Sequence, residues 1–275
     1  MSRMAEVFAA ARAEERAVLI GYMPAGYPTL AGSIALIETM VENGVDIVEV
    51  GLPYSDPLMD GPVIQLAVSK ALAEGTKITD VMTTVEATAA TGAPALVMSY
   101  WNPIERHGPE QFAADLEAAG GTGIITPDLT PEEAGPWMAA TDHHVLDRIF
   151  LVAPSSTPER IQLVCRASSG FVYAASTMGV TGTRTSVSVK AHDLVERTRG
   201  ATPLPICVGL GVSNGAQAAE VAEYADGVIV GSAFVSAFEK QDNAADGVHA
   251  VGALAADLAA GVRARARPTE RLEMS

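Results

Sequence analysis

Three acidic residues lie within one short stretch, VEVGLPYSDPLMDGPVIQ, which covers residues 48–65. Glu49 stands between two valines inside an apolar run, and Asp56 and Asp60 follow in a loop that contains proline and glycine. A carboxyl group on a buried strand is poorly solvated, which disfavours its ionised form and raises its pKa. Such a group can donate and accept a proton near neutral pH, so Glu49 is a candidate general acid and base.

Each of these carboxylates also has a purely structural interpretation. A buried Glu49 could be held by hydrogen bonds alone, although glutamate is rarely buried without a partner. Asp60 stands in Asp-Gly-Pro and Asp56 in Ser-Asp-Pro, and both are ordinary turn sequences. Composition alone therefore favours a turn role for the two aspartates and a chemical role for Glu49.

Eight short apolar runs predict the strands that position these residues. The runs are continuous rather than alternating, as in a parallel sheet that is buried on both faces. Amphipathic segments such as 30–44 and 109–121 separate them and predict helices; the second ends at Gly-Gly, a helix stop signal. The predicted strands are 17–23, 45–51, 94–100, 122–128, 148–154, 170–176, 205–211 and 226–232.

Eight such units in a chain of 275 residues predict an α/β fold, a (β/α)8 TIM barrel with eight parallel strands and extra helices. We expect one domain over residues 1–275, with a frayed tail from about 266. The alternative is an open doubly wound sheet, which usually carries GxGxxG after its first strand. The sequence GYMPAGYP at that position lacks this pattern.

The loops after the seventh and eighth strands are rich in small residues. They read GLGVSN (209–214) and GSA (231–233), and each leads into a predicted helix whose free N–H groups can bind a phosphate. Ser213, Asn214 and Ser232 are suitable N-cap residues. A single loop of this kind could be only a tight turn, but two at the phosphate position of a barrel predict a phosphate site. Neither segment holds a basic residue, so the backbone must do most of the binding.

Several other chemistries are disfavoured. The net charge of −15 would repel a nucleic acid. His143 and His144 have no metal-ligand spacing, and we expect them to be solvated at the opposite end of the barrel from the site. None of the four lysines lies in an apolar strand, which argues against a Schiff-base aldolase. Cys165 and Cys207 resemble core residues, no Ser-His-Asp arrangement is evident, and we expect no metal.

The sequence also predicts a cellular location. We find no signal-peptide pattern and no apolar run long enough to cross a membrane. We therefore expect a cytoplasmic protein that binds neither membranes nor nucleic acids.

The stretch around Glu49 resembles the signature of the tryptophan synthase alpha subunit family. The resemblance continues, in order and at the predicted strand ends, over most of the chain. It includes LVMSYWNPI (96–104), PDLTPEEA (127–134), YAASTMGVTGTR (173–184), VGLGVS (208–213) and VGSA (230–233).

The resemblance implies retro-aldol cleavage of indole-3-glycerol phosphate to indole and glyceraldehyde 3-phosphate. Glu49 matches the family's acid and base at indole C3 and the glycerol hydroxyl, and Asp60 matches the carboxylate that stabilises the indolenine through the indole N–H. The family needs no cofactor in this chain. Its members pass indole to a beta subunit that carries pyridoxal phosphate, so an alpha2-beta2 heterotetramer is expected.

The resemblance also assigns further positions. A substrate pocket is implied at Tyr22, Tyr100, Ile125, Tyr173 and Ile229, phosphate binding at Gly182, Gly211, Gly231 and Ser232, a closing loop at Thr181, and a partner interface at Asp56, Pro57, Asn102 and Pro103. Tyr22, Pro127 and Thr177 depart from some family members, which have Phe, Ala and Arg at these positions.

Two other functions are compatible with the sequence. The chain could be another phosphate-binding barrel enzyme, an aldolase or an isomerase; the feature that argues against this is the SDPLMDGP loop with Glu49 upstream. It could also be mainly a regulatory subunit that binds ligand and activates its partner.

Overall fold

The computed structural model describes residues 2–175, 184–209 and 211–264, and for residues 184–188 it describes the backbone alone. Its strands form one parallel sheet in the order β5-β4-β3-β2-β1-β9-β8-β7-β6. The two ends of this order, β5 and β6, are consecutive in the chain and are separated by Phe150 alone, so the sheet is a nearly closed barrel of eight strands. The segments are β1 (Val18–Pro24), β2 (Ile47–Gly51), β3 (Ala95–Met98), β4 (Gly123–Ile125), β5 (Asp147–Ile149), β6 (Leu151–Val152), β7 (Val172–Ala175), β8 (Ile206–Gly209) and β9 (Gly227–Val230).

Each of the eight predicted runs overlaps an observed barrel strand, which confirms the predicted TIM barrel. The helices form the outer layer, and none within the described ranges has both the length and the hydropathy to span a bilayer. They are α1 (Arg3–Ala13), α2 (Leu30–Glu42), α3 (Pro62–Ala73), α4 (Ile78–Ala90), α5 (Trp101–His107), α6 (Pro109–Ala118), α7 (Gly135–His143), α8 (Pro158–Ala167), α9 (Arg184–Arg199), α10 (Gly215–Ala222), α11 (Ser232–Glu239) and α12 (Ala244–Arg263).

Local signals explain where the two predicted helices begin and end. The Thr29 side chain accepts a hydrogen bond from the N–H of Gly32 and caps α2. Helix α6 begins at Pro109 and stops just before Gly120, which has a φ of +79° that glycine adopts at little cost. The predicted tail from about 266 lies outside the described residues.

Side chains of the strands alternate between two separate apolar cores. On β2, Ile47 points into the barrel interior, whereas Val48 and Val50 pack against the helix layer. The interior is filled mainly by β-branched and other apolar side chains, as expected for a packed barrel rather than a pore. Its buried members are Met4, Phe8, Ala11, Val18, Ile20, Ile47, Leu96, Ile125, Ile149, Phe171, Cys207 and Ile229.

Helix α1 closes the N-terminal end of the barrel. Its Met4 and Phe8 side chains are buried in the interior core, and the Phe8 and Phe171 ring centroids are 6.0 Å apart. A Cβ atom added at Gly170 would lie 2.5 Å from Met4 Cε, which shows how closely α1 packs against the chain just before β7. A ligand can therefore enter only at the opposite, C-terminal end of the strands.

Helices α10 and α12 touch through two glycines. A Cβ atom at Gly261 would overlap the carbonyl oxygen of Gly215, and one at Gly215 would overlap the carbonyl oxygen of Asp257. In both cases the added Cβ atom would meet a main-chain carbonyl oxygen, which can move away only if the two helices separate. This contact fixes α10, which follows the loop after β8, against the long C-terminal helix.

We predict that Gly261→Ala lowers the free energy of unfolding by about 1–3 kcal/mol, because overpacking a tight contact outweighs the better helix propensity of alanine. Equilibrium urea unfolding measures this change. Gly135→Ala is the control: no atom lies within 4 Å of the added Cβ, and a change within about 0.5 kcal/mol is expected. Equal effects of the two substitutions would contradict the close-contact explanation.

Candidate active site

A cavity of about 250 Å³ opens at the C-terminal end of the barrel. Its floor and walls come from inward-facing residues of the strands, and its rim comes from the loop between β2 and α3. It holds two carboxyl groups, and its described lining contains neither lysine nor arginine. The lining residues are Tyr22, Glu49, Met59, Asp60, Gly61, Ile64, Met98, Leu151, Tyr173, Ala175, Gly209, Gly211, Ile229, Gly231 and Ser232.

Glu49 lies at the floor of this cavity. It follows Ile47 on the inward face of β2, pairs in register with Tyr22 of β1 and Leu96 of β3, and is 0% exposed. Among the described residues, neither carboxyl oxygen has a hydrogen-bond partner. Burial raises the pKa of Glu49 to about 8. At neutral pH the group therefore holds a proton that it can donate and later recover.

Asp60 approaches the cavity from above, on the loop that follows β2. The Tyr100 hydroxyl accepts a hydrogen bond from the N–H of Met59 at 2.9 Å, and the Gln65 side chain donates to the Asp60 carbonyl at 2.8 Å. Burial raises the pKa of Asp60, and a hydrogen bond with Tyr100 opposes that shift. The two carboxyl groups thus reach one cavity from different elements, one rigid and one on a loop.

Two tyrosines lie across the mouth of the barrel, each over a glycine of the neighbouring strand. A Cβ atom at Gly51 would overlap the Tyr22 hydroxyl, and one at Gly209 would overlap the Tyr173 hydroxyl. Burial, with the Glu49 carboxyl nearby, raises the pKa of both tyrosines, so both stay neutral. Their rings line the same cavity as Glu49.

One uncapped helix N-terminus borders the cavity at the end of β9. Gly231 and Ser232 line the cavity, and no side chain caps α11, which begins at Ser232. The other candidate, α10, is capped by Asn214, whose side chain accepts from the N–H of Gln217 at 3.0 Å. Gly211 lines the cavity with a φ of +64°. An anion here would be bound by backbone N–H groups, chiefly those of α11.

The structure brings most of the sequence-predicted residues to this cavity. Tyr100 is an exception, since it contacts the Asp60 loop instead of the lining. Ile125 lies in the interior core below. Thr181, Gly182 and Thr177 are outside the described residues. The predicted lining residues are Tyr22, Glu49, Asp60, Tyr173, Gly211, Ile229, Gly231 and Ser232.

The residues assigned to a partner interface lie together beside the cavity rim. Asp56 is exposed and accepts a hydrogen bond from Ser55, and Asn102 is exposed and donates to the Tyr54 hydroxyl at 2.9 Å. Pro57 and Pro103 are half-buried in the same two segments. The assigned interface residues thus lie on two segments, the loop that follows β2 and the start of α5, and the Asn102–Tyr54 hydrogen bond joins them.

The cavity is also lined by residues that were not predicted from the sequence. Met98, Leu151 and Ala175 are strand residues whose inward direction could have been counted from the alternation on each strand. Met59 and Ile64 have no sequence signal beyond their position in the loop and helix after β2. Pro127 lines a neighbouring cavity of about 310 Å³ instead. The expectation that His144 is solvated was wrong, because its side chain is only 13% exposed.

Comparison with known proteins identifies the family. The family model described as "Tryptophan synthase alpha chain" matches residues 8–263. The chain belongs to the tryptophan synthase alpha chain family. It is 60% identical over 270 residues to the alpha chain of Thermobifida fusca, covering 97% of this chain and 100% of that one. Its identity to the Nocardia farcinica alpha chain is 62% over 262 residues, covering 95% and 96%.

Solved structures of tryptophan synthase share this fold. A Mycobacterium tuberculosis tryptophan synthase chain matches with a TM-score of 0.89 and 54% identity, covering 95% of this chain and 98% of that one. The tryptophan synthase subunit alpha of Legionella pneumophila matches with a TM-score of 0.87 and 32% identity, covering 95% and 98%. The chain is thus a tryptophan synthase alpha chain by family, a lyase of tryptophan biosynthesis.

The raised pKa of Glu49 makes a prediction about stability. The folded protein keeps this proton up to about pH 8, whereas the unfolded chain loses it near the ordinary value of 4.5. The folded state thus binds more protons in this window, and its stability falls as the pH rises. We expect the free energy of unfolding of the wild type, relative to Glu49→Gln, to fall by about 3–5 kcal/mol between pH 4.5 and 8.

Urea unfolding of both proteins across this pH range measures the difference, and the other titrating groups cancel between them. Glu86→Gln, an exposed glutamate on α4, is the control and should follow the wild type at every pH. A constant difference between wild type and Glu49→Gln would show that Glu49 titrates normally.

Proposed function

We propose that this chain cleaves indole-3-glycerol phosphate into indole and glyceraldehyde 3-phosphate, with Glu49 and Asp60 as the reacting carboxyl groups. The observation that carries the proposal is the fully buried Glu49 at the floor of a cavity that Asp60 and the uncapped N-terminus of α11 also line. This cleavage needs a proton donor, an anion that stabilises the cationic intermediate, and a site that binds the phosphate.

Proton transfer from Glu49 starts the reaction. The Glu49 carboxyl protonates C3 of the indole ring, which gives the indolenine cation. The Asp60 carboxylate accepts a hydrogen bond from the ring N–H and stabilises the positive charge that develops there. This cation can accept the electron pair of the breaking bond at C3, which neutral indole does poorly.

The cleavage step restores the protonated form of Glu49. Glu49, now a carboxylate, takes the proton of the glycerol hydroxyl next to the ring. The resulting oxygen lone pair forms the aldehyde C=O, the bond from that carbon to C3 breaks, and its electron pair neutralises the indolenine to indole. Glu49 ends protonated, so no net proton and no external oxidant or cofactor is consumed.

Different parts of the cavity would bind the two ends of this substrate. Tyr22 and Tyr173 provide flat neutral surfaces for the indole ring, and Ile229 provides an apolar contact. Gly231 and Ser232 at the start of α11, with Gly211 from the neighbouring loop after β8, would bind the phosphate through backbone N–H groups. Gly182 and Thr181 remain proposed members of the phosphate site and of the closing loop.

A beta subunit is the proposed partner, in an alpha2-beta2 heterotetramer in which that subunit carries the pyridoxal phosphate. Support comes from the exposed apolar side chain of Leu58, two residues after Asp56, and from that of Leu66 on α3. Because Leu58 and Asp60 share one loop, partner binding at this surface can shift the position of the Asp60 carboxylate. The two buried, unpaired cysteines support action in the reducing cytoplasm.

We predict that Glu49→Gln lowers kcat for indole release by at least about 100-fold, because glutamine cannot transfer the proton. Asp60→Asn should lower kcat by about 10²–10³-fold through loss of the charge that stabilises the cation. KM should change little in Glu49→Gln, since the substitution keeps the shape of the site. Indole release from indole-3-glycerol phosphate is measured with and without a tryptophan synthase beta subunit.

Glu86→Gln is the matched control and should keep wild-type activity. Persistent activity in Glu49→Gln would remove the assigned role of that residue. A folded wild type that binds the substrate but releases no indole, even with the beta subunit, would overturn the proposed reaction and favour a regulatory subunit.

A further inference from the structure

A second group of ionisable side chains lies in the outer layer, where α6 packs against the end of α7. Glu110 comes from the first turn of α6, and His143 and His144 come from the last residue of α7 and its C-cap. One potential ligand atom from each lies within 4.8 Å of the others. We call these three residues the His–Glu cluster.

One carboxylate oxygen faces two imidazole nitrogens in this cluster. Glu110 Oε1 is 2.6 Å from His143 Nδ1 and 3.1 Å from His144 Nε2. The two imidazole rings lie beside each other, with centroids 4.6 Å apart. Two nitrogens and one oxygen thus converge on a small volume, the donor set that Zn²⁺ and its neighbours in the periodic table prefer.

A second carboxylate fixes the orientation of His144. Its Nδ1 lies 2.7 Å from Glu117 Oε2, on the same face of α6 as Glu110. A carboxylate that accepts from Nδ1–H leaves the Nε2 lone pair free to bind a metal, and this pairing is the usual support for a metal-bound histidine. The His144 side chain is only 13% exposed, so its position is already set by packing.

A proton is the competitor for this position. The hydrogen bonds from Glu117 and Glu110 raise the pKa of His144, so the cluster can also hold a charged imidazole between two carboxylates. In that arrangement His143 Nδ1–H and His144 Nε2–H each donate their own proton to Glu110 Oε1, so a metal ion must displace both protons to bind. A divalent cation would interact with both nitrogens and with the oxygen at once.

The cluster is separate from the proposed active site. His144 precedes β5 by three residues and Glu117 lies in the last turn of α6, so this region is at the N-terminal end of the strands. The cavity with Glu49 is at the opposite end. A ligand here would join α6 to α7 without touching the reacting groups.

We propose that the His–Glu cluster binds one divalent transition-metal ion, with Zn²⁺ as the best match, through His143 Nδ1, His144 Nε2 and Glu110 Oε1. Glu117 acts as a positioning residue for His144, and water completes a tetrahedral site. Ligand atoms of tetrahedral zinc are about 3.4 Å apart. The exposed side chains of Glu110 and His143 can rotate to reach that spacing around the fixed His144 imidazole.

Isothermal titration of the full, tag-free chain with Zn²⁺ at pH 7.5, after treatment with a chelator, tests this proposal. We expect one ion per chain, and a dissociation constant at least about tenfold weaker in His144→Gln and in Glu110→Gln. Free Zn²⁺ at ten times the dissociation constant should raise the Tm of the wild type by about 3–6 °C and leave that of His144→Gln unchanged. Circular dichroism checks that each variant is folded.

His107→Gln is the matched control. His107 also contacts a carboxylate, Asp115, at 2.7 Å, but without a second histidine, so this variant should bind Zn²⁺ as the wild type does. Unchanged affinity in both His144→Gln and Glu110→Gln would overturn the proposal, as would no saturable binding by the wild type. Equal losses in His107→Gln and His144→Gln would also overturn it.

Discussion

The buried carboxyl group of Glu49 is the constraint on which the rest of the site depends. A carboxyl with no exposed surface and no hydrogen-bond partner among the described residues costs stability whenever it ionises. The barrel tolerates it because the group can remain protonated at neutral pH. The same desolvation that makes the residue costly gives it a pKa suitable for proton transfer, so the chemistry and the local instability have one physical cause.

The architecture supplies that environment in a small number of steps. Closure of the sheet places Glu49 one layer above Ile47, inside the barrel, and α1 seals the end below it. Glycines at positions 51 and 209 let two tyrosine rings lie over the same floor. Water can thus approach the carboxyl only from the loop side, where Asp60 and the start of α11 are located.

The strands and the position of the site could be predicted from the sequence. Continuous apolar runs indicate the strands, and their number and spacing indicate a barrel whose site lies in the loops at the C-terminal ends of the strands. The direction of Glu49 followed from simple alternation along β2. Tyr100 could not be placed in the same way, since its contact with the Asp60 loop depends on loop conformation. The partial burial of His144 also escaped prediction, because it depends on how α6 packs against α7 and not on any local pattern.

Direct titration of the Glu49 carboxyl tests most directly whether burial keeps this group protonated at neutral pH. Carbon-13 NMR of the chain labelled at glutamate Cδ, with Glu49→Gln used to assign the resonance, follows this one group through pH 4 to 10. We expect the titration midpoint of Glu49 to lie near pH 8, because burial raises the pKa of this carboxyl group to about 8. A midpoint near 4.5 would mean that the group is ionised at neutral pH, and it would contradict the role of Glu49 as a proton donor.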